Sequence, residues 1–238
     1  MMTPTPVRMP LPRQSPPPPS TVDLWLVPLA DLPLEPLPPE SDPSAHVRAL
    51  RFRQQFMLRL LLGSYLDCPG RDVEVVRSGR GKPALGARHA GSALHFNLSH
   101  SRQWLAVALA VGVDVGVDIE YERSMPRAQS VARRYFPAAE AEALAAWDEP
   151  FRSRSFLQYW TAREALVKAR GCGLAGVMDQ IQLAGSPPRV CAVPDQWPDA
   201  GRWSLIMPLV CGGLIAHVAV AGEGFEVRTR RVEMPKAP

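Results

Sequence analysis

The sequence predicts an α+β fold arranged in two lobes, because strand-like and helix-like patterns come in clusters and not in regular βαβ alternation. Three observations carry this. A short apolar strand precedes one long amphipathic helix around residue 50. Three strand patterns run close together between residues 94 and 121. A second strong helix at 155–170 leads into a further strand cluster. A chain of 238 residues is long enough for this plan, at roughly 100 residues per lobe.

Composition is globular, with 46% apolar and 21% charged residues, which excludes a wholly disordered chain, collagen and a coiled coil. Proline is the outlier: 14 of the 26 fall within the first 43 residues. Residues 1–20 are accordingly read as a disordered proline-rich tail, with an SH3-type ligand at Pro16–Pro19 as the sharper alternative. The net charge of +4 is not gathered into a basic block, so no nucleic-acid partner is expected. Cys68, Cys172, Cys191 and Cys211 lack zinc spacing and are too few for a disulfide scaffold. No run of 18 apolar residues and no secretory leader occurs, so the reading is a cytoplasmic protein without a membrane partner.

Val22–Val27 opens the ordered chain as a short alternating strand. Ala45–Leu66 follows as a long helix, with Leu50, Phe56, Met57, Leu60, Leu61 and Tyr65 at helical spacing, ended by Pro69-Gly70. Val73–Arg77 is a small strand, and Ser78 to Pro83 form a glycine-rich basic turn. Leu94–Leu98 and Trp104–Ala110 form a hairpin through Ser99-His100-Ser101-Arg102. In the next strand, Val115–Tyr121, period two is unbroken, so Asp118 and Glu120 share one face and the valines and Ile119 cover the other.

Helices resume at 127–135 and 138–147, separated by Pro137. Ser155–Arg170 is the strongest helix, stopped by Gly171 and Gly173. On it Trp160, Glu164 and Lys168 share a face. Strands at 180–183, 203–208, 214–221 and 225–231 then form a small C-terminal sheet.

Three carboxylates, Asp118, Glu120 and Glu164, are the makings of a hard-cation site, since Mg²⁺ takes oxygen ligands and substrate phosphates. Lys82, Ser99, His100 and Lys168 are phosphate-binding types, so the combination suggests a diphosphate substrate. Taken singly, each has an ordinary reading. Asp-x-Glu is usually a solvated strand end, Glu164 with Lys168 is an ordinary helix pair, and Trp160 is more often core than a platform.

The segment Gly116-Val117-Asp118-Ile119-Glu120, followed by Phe156 through Lys168 with Trp160-Thr161-Ala162-Arg163-Glu164-Ala165, resembles the paired signature of the 4'-phosphopantetheinyl transferases. Gly81-Lys82-Pro83, Phe96 to Ser101 and Gly171-Cys172-Gly173-Leu174 are similar to further blocks of the larger, Sfp-type branch. The resemblance implies two similar pseudo-twofold-related lobes, at 21–115 and 116–238, with the active site in the cleft between them and a monomeric chain. It implies transfer of phosphopantetheine from coenzyme A to a serine of an acyl or peptidyl carrier protein, releasing adenosine 3',5'-bisphosphate. Asp118, Glu120 and Glu164 would hold Mg²⁺. Glu164 and Lys168 would be catalytic, and Lys82, Ser99 and His100 would contact coenzyme A, with His100 at its 3'-phosphate. The proton acceptor is either Glu164 or a water on the metal. Arg163 stands where many relatives have lysine and cannot act as a base. Contacts from Arg51, Arg53 or Arg59 to coenzyme A, and docking of the carrier helix on Leu174 and Val177, are further expectations.

Overall fold

Two sheets lie face to face through small and β-branched side chains, and a long helix covers the outer side of each. The computed structural model describes residues 3–32, 34–39, 41–77, 79, 81–173, 176–197 and 202–234. The α+β class is as the sequence predicts, with four α-helices among the described residues.

The first sheet contains β1 (Thr5–Arg8), β2 (Thr21–Pro28), β5 (Leu94–Ser101), β6 (Trp104–Val111) and β12 (Glu226–Glu233), in the order β1-β12-β2-β6-β5. β12 runs parallel to both β1 and β2, and the remaining pairings are antiparallel. The second sheet is β10 (Trp203–Ile206), β11 (Leu214–Ala221) and β7 (Val115–Tyr121), antiparallel throughout. Two small hairpins, β3 (Val75–Arg77) with β4 (Pro83–Leu85) and β8 (Gln182–Ala184) with β9 (Arg189–Ala192), stand outside these sheets.

Period-two patterning explains the layers. Val22, Leu24 and Leu26 of β2 and Ala106, Ala108 and Ala110 of β6 meet Val115, Val117 and Ile119 of β7 and Ala216, Val218 and Val220 of β11 in one dry cluster. The alternate residues Trp25 and Val27 turn outward onto helix α1 (Pro43–Leu66), which buries Met57, Leu58, Leu61 and Leu62 against them. Helix α1 starts at Asp42, whose side chain accepts from Ala45 N at 3.1 Å, and has proline at its first position, as capping physics favours.

Helix α4 (Phe151–Arg170) covers the outer face of the second sheet and ends at Gly171 in the left-handed conformation, φ 67°. It starts four residues earlier than the sequence pattern indicates. Helices α2 (Ala128–Tyr135) and α3 (Ala138–Ala145) dock on it through Arg163, which is fully buried. Its guanidinium pairs with Glu140, donates to Ile181 O at 3.0 Å and Tyr159 O at 3.3 Å, and lies 4.1 Å from the Phe136 ring centre. This is the electrostatic and hydrogen-bonding role that arginine permits.

Three features are absent from the sequence reading. Among the described residues of the proline-rich start, β1 pairs with β12, Gln14 N donates to Ser64 O at 2.9 Å, and Arg230 reaches Gln14 Oε1 at 3.0 Å. Backbone pairing at a sheet edge orders a segment whose composition alone could not. The last strand leaves the C-terminal cluster and inserts into the first sheet between β1 and β2, so the sheets do not divide cleanly at residue 115. The polar link Ser99-His100-Ser101 is strand, and only Arg102 and Gln103 make the turn, with Arg102 at φ 52°.

Candidate functional site

Strand β5 and strand β7 are edges of different sheets, and side chains join them where a ladder would be. Asn97 Oδ1 accepts from Val117 N at 3.1 Å, and Ser101 Oγ accepts from Tyr121 N at 3.0 Å. Between them Ser99 Oγ donates to Asp118 Oδ1 at 2.6 Å. Asn97, Ser99 and Ser101 occur at period two and so face the same way. The sequence carried that signal, but it was hidden by reading Ser99 and Ser101 as a turn.

Helix α4 closes the third side. Gly116 lets it approach, because a Cβ there would lie 2.0 Å from Ala165 O and 2.3 Å from Ala169 N. That approach brings Lys168 Nζ to 2.6 Å from Asp118 Oδ1 and 3.1 Å from Ser99 Oγ. Asp118 is 6% exposed. Burial pushes its pKa up, while Lys168 and Ser99 pull it down. A buried carboxylate needs such partners, since an unpaired one costs several kcal/mol.

Glu164 stands one turn before Lys168. Burial, and then repulsion from Asp118 and Glu120, raise its pKa to about 7, against the pull of Lys168. Glu120 Oε2 accepts from Ser101 Oγ at 2.9 Å and from Arg123 at 2.7 Å. His100, on the exposed side of β5, is pushed down by partial burial and then by the Lys168 ammonium, with Arg51 adding to it. The expected residues Ser99, His100, Asp118, Glu120, Glu164 and Lys168 therefore form one electrostatically connected group.

Among the described residues, no three His, Cys, Asp or Glu side chains stand in a metal-ligand arrangement. The carboxylate oxygens of Asp118 and Glu120 take the cation or hydroxyl that their own surroundings offer. Their donor chemistry still suits a hard cation: the three are all oxygen ligands, and the repulsion that Asp118 and Glu120 add to the burial of Glu164 is the part that such an ion relieves.

Lys82 lies at the rim of this group. Its ammonium donates to Asp114 Oδ1 and to Ala169 O, both at 2.9 Å, where it satisfies a carbonyl in the last turn of α4. His95 and then Lys82 hold Asp114 well below the usual carboxylate range. A cavity of about 660 Å³ opens here, lined by Lys82, Pro83, His89, His95, Asp114 and Arg170 among others.

Other expectations resolve individually. Arg53 is buried and donates to Leu29 O, Ala30 O and Glu35 O, so it serves the fold and not a ligand. Trp160 is half-buried and packs against the core, stacked on Phe156 and edge-on to Tyr135. Val177 packs half-buried beside α4, and Leu174 lies outside the described residues. Cys68, Cys191 and Cys211 are free thiols. Among the described residues, no helix is long and apolar enough to cross a membrane.

Carboxylates, an ammonium and a hydroxyl converging on a half-buried strand–helix seam are the equipment of an enzyme that handles charged groups. The comparisons with known proteins give that enzyme its family. The family model described as the 4'-phosphopantetheinyl transferase superfamily matches residues 114–203, the stretch that holds the acidic strand and the lysine-bearing helix. The 4'-phosphopantetheinyl transferase HetI of Nostoc sp. is 35% identical over 218 residues, covering 86% of this chain and 90% of that protein. The 4'-phosphopantetheinyl transferase Sfp of Bacillus subtilis is 32% identical over 89 residues, 37% of this chain and 38% of that one. AcpT of Salmonella typhi is 38% identical over 98 residues, 41% of this chain and 50% of that one. The chain belongs to the 4'-phosphopantetheinyl transferase family and is a transferase.

Proposed function

We propose that the protein moves the 4'-phosphopantetheine group from coenzyme A to a serine hydroxyl of an acyl or peptidyl carrier protein. The serine oxygen forms the new bond to phosphorus, the diphosphate bond of coenzyme A breaks, and adenosine 3',5'-bisphosphate leaves. The observation that carries this reading is the junction of Lys168, Asp118 and Ser99, with Glu164 beside it, at the seam between two sheets.

Each side chain has a task that its surroundings support. Glu164 has two carboxylate oxygens, and the one that does not face the cation accepts the serine proton, as general base catalysis requires a group within hydrogen-bond reach. Lys168 brings a positive charge to the phosphate that departs. Ser99 and His100 bind coenzyme A phosphates, His100 the one on the ribose. Lys82 binds a further coenzyme A phosphate from the rim of the cavity that it lines, and its ammonium also holds the end of α4. Asp118, Glu120 and Glu164 would hold Mg²⁺, which when bound offsets negative charge on the diphosphate.

The finer architecture belongs to the same proposal. A strand, a long helix and a hairpin occur twice, as β2-α1-β5-β6 and as β7-α4-β10-β11, and in each the last strand pairs antiparallel with the first. This recurrence supports two pseudo-twofold-related lobes with coenzyme A in the cleft between them. A cytoplasmic monomer fits the free thiols of Cys68, Cys191 and Cys211.

Intact-mass spectrometry of an apo carrier domain, incubated with this protein, coenzyme A and Mg²⁺, tests the reading. The carrier should gain one phosphopantetheinyl group. Release of free phosphopantetheine with the carrier unmodified would make the protein a hydrolase instead.

A further inference from the structure

Helix α4 meets the second sheet through its smallest side chains. Ala162, Ala165 and Ala169 are fully buried and cluster with Ala219, and Gly116 offers no side chain at all. Such a surface allows close approach but has few knobs, so it does little to fix where the helix sits along its own axis. A slip of a single residue moves a helix by about 1.5 Å, enough to part Lys168 from Asp118.

Besides the Lys168–Asp118 pair of the site itself, a fully buried polar contact crosses this smooth interface nearby. His217, at the centre of β11, is fully buried, and its Nδ1 lies 2.7 Å from Thr161 Oγ1. Thr161 is likewise fully buried, and its Oγ1 lies 2.8 Å from Leu157 O and 3.1 Å from Gln158 O. A hydroxyl has a single proton. When it is given to a helix carbonyl, the oxygen is left to accept Nδ1–H from the imidazole. Burial keeps the ring neutral, its pKa pushed down to about 3, so the other nitrogen carries a bare lone pair. That Nε2 is buried without a hydrogen-bond partner among the described residues.

Keeping a half-satisfied imidazole inside a core is costly, and an apolar residue of similar size would fill the place without that cost. Its position indicates what the cost brings. His217 is the ladder partner of Asp118, so the two side chains stand on the same face of the sheet. Thr161 is three residues before Glu164 and seven before Lys168, on the helix face that turns to the sheet. A directional bond between these two points fixes helix against strand, the setting in which a buried polar pair is best attested as a register device.

We propose that His217 is a positioning residue for the transfer reaction: through Thr161 it sets the axial register of α4 on the sheet, and so the meeting of Lys168 and Glu164 with Asp118. The inference rests on the transferase reading of this site.

The double variant Thr161→Val/His217→Phe removes both partners and leaves no orphaned polar atom, so its folding should be retained. Its kcat should fall about 10- to 100-fold, as a displacement near 1 Å can produce, with the KM for coenzyme A within about twofold of wild type. Thr161→Ser in the otherwise wild-type chain, which keeps the hydroxyl and its bond to His217, should retain wild-type kcat. A crystal structure of the double variant should show α4 displaced along its axis and the Lys168–Asp118 contact lengthened. If the double variant does not fold, Thr161→Val alone is read the same way. Wild-type kcat in the variant, or an α4 that superposes with the Lys168–Asp118 bond intact, overturns the proposal. An inactive wild type would fault the transferase reading, and the helix displacement would still decide this one.

Discussion

Glu164 is held half-charged near neutrality by forces of opposite sign. Burial and two nearby carboxylates favour the protonated form, while Lys168 favours the ionised one, and the balance is a pKa of about 7. The folded value lies above the ordinary carboxylate value of 4.5. The stability that this group contributes is therefore fully present below about pH 4.5 and is lost as pH rises through about 7. Metal-free protein should accordingly lose thermal stability between pH 5 and pH 8, and Glu164→Gln should flatten that dependence in scanning fluorimetry while abolishing carrier loading. A variant with the wild-type pH slope would show that the carboxylate is not the group responsible. The residues of this site were readable to different degrees. Asp118 and Glu120 followed from period two, and Glu164 and Lys168 from helical spacing. Ser99 was recognised as a residue type but assigned to a turn, because a short polar run between two apolar ones reads as a connection until its partners on another strand are known.

Helix α4 is the element on which catalysis and folding meet. Its sheet-facing side depends on the absence of a side chain at residue 116. Gly116→Ala would drive a methyl group into Ala165 O and Ala169 N, and backbone cannot move aside as a flexible side chain can. Overpacking of this kind costs about 1–3 kcal/mol, so the variant should show a lower urea midpoint together with strongly reduced transfer, as Lys168 is levered away from Asp118. On its other side α4 carries α2 and α3 through Arg163. Arg163→Lys keeps the charge but not the planar fork that reaches Glu140, Tyr159 O and Ile181 O together. Leaving buried acceptors unmet costs about 1–3 kcal/mol, and urea melts should show a loss of that order. The helix itself was legible from its apolar spacing and glycine stop. Its start was not, because Phe151–Arg154 lacks an apolar repeat, and Phe151 is left 62% exposed.

At the scale of the whole molecule, the two ends of the chain are built into one sheet. β12 lies between β1 and β2 and supplies Arg228 to Asp23, Nε to Oδ1 at 2.7 Å, while Tyr65 donates to the other oxygen of Asp23 at 2.7 Å. Asp23 is fully buried, so the cation from the far end of the sequence is what allows a carboxylate there. Truncation after Gly224 removes that strand and with it the pairing partner of both β1 and β2. It should lower Tm by at least about 10 °C, or prevent folding altogether, as circular dichroism would show. A truncated protein that melts like the full chain would mean that β12 is dispensable.

The sequence by itself determined the fold class, the α-helices, the strands other than β1, β4 and β9, the face on which Asp118 and Glu120 stand, and the family, because each is written in periodicity or in a contiguous motif. Tertiary structure decided which sheet receives the last strand, what the proline-rich start pairs with, that Lys82 holds the end of α4, and that His217 lies opposite Asp118. These are contacts between residues from about 50 to more than 200 positions apart, and neither local propensity nor spacing encodes a partner at that distance. They are set by which faces can be buried together once the helices and sheets exist.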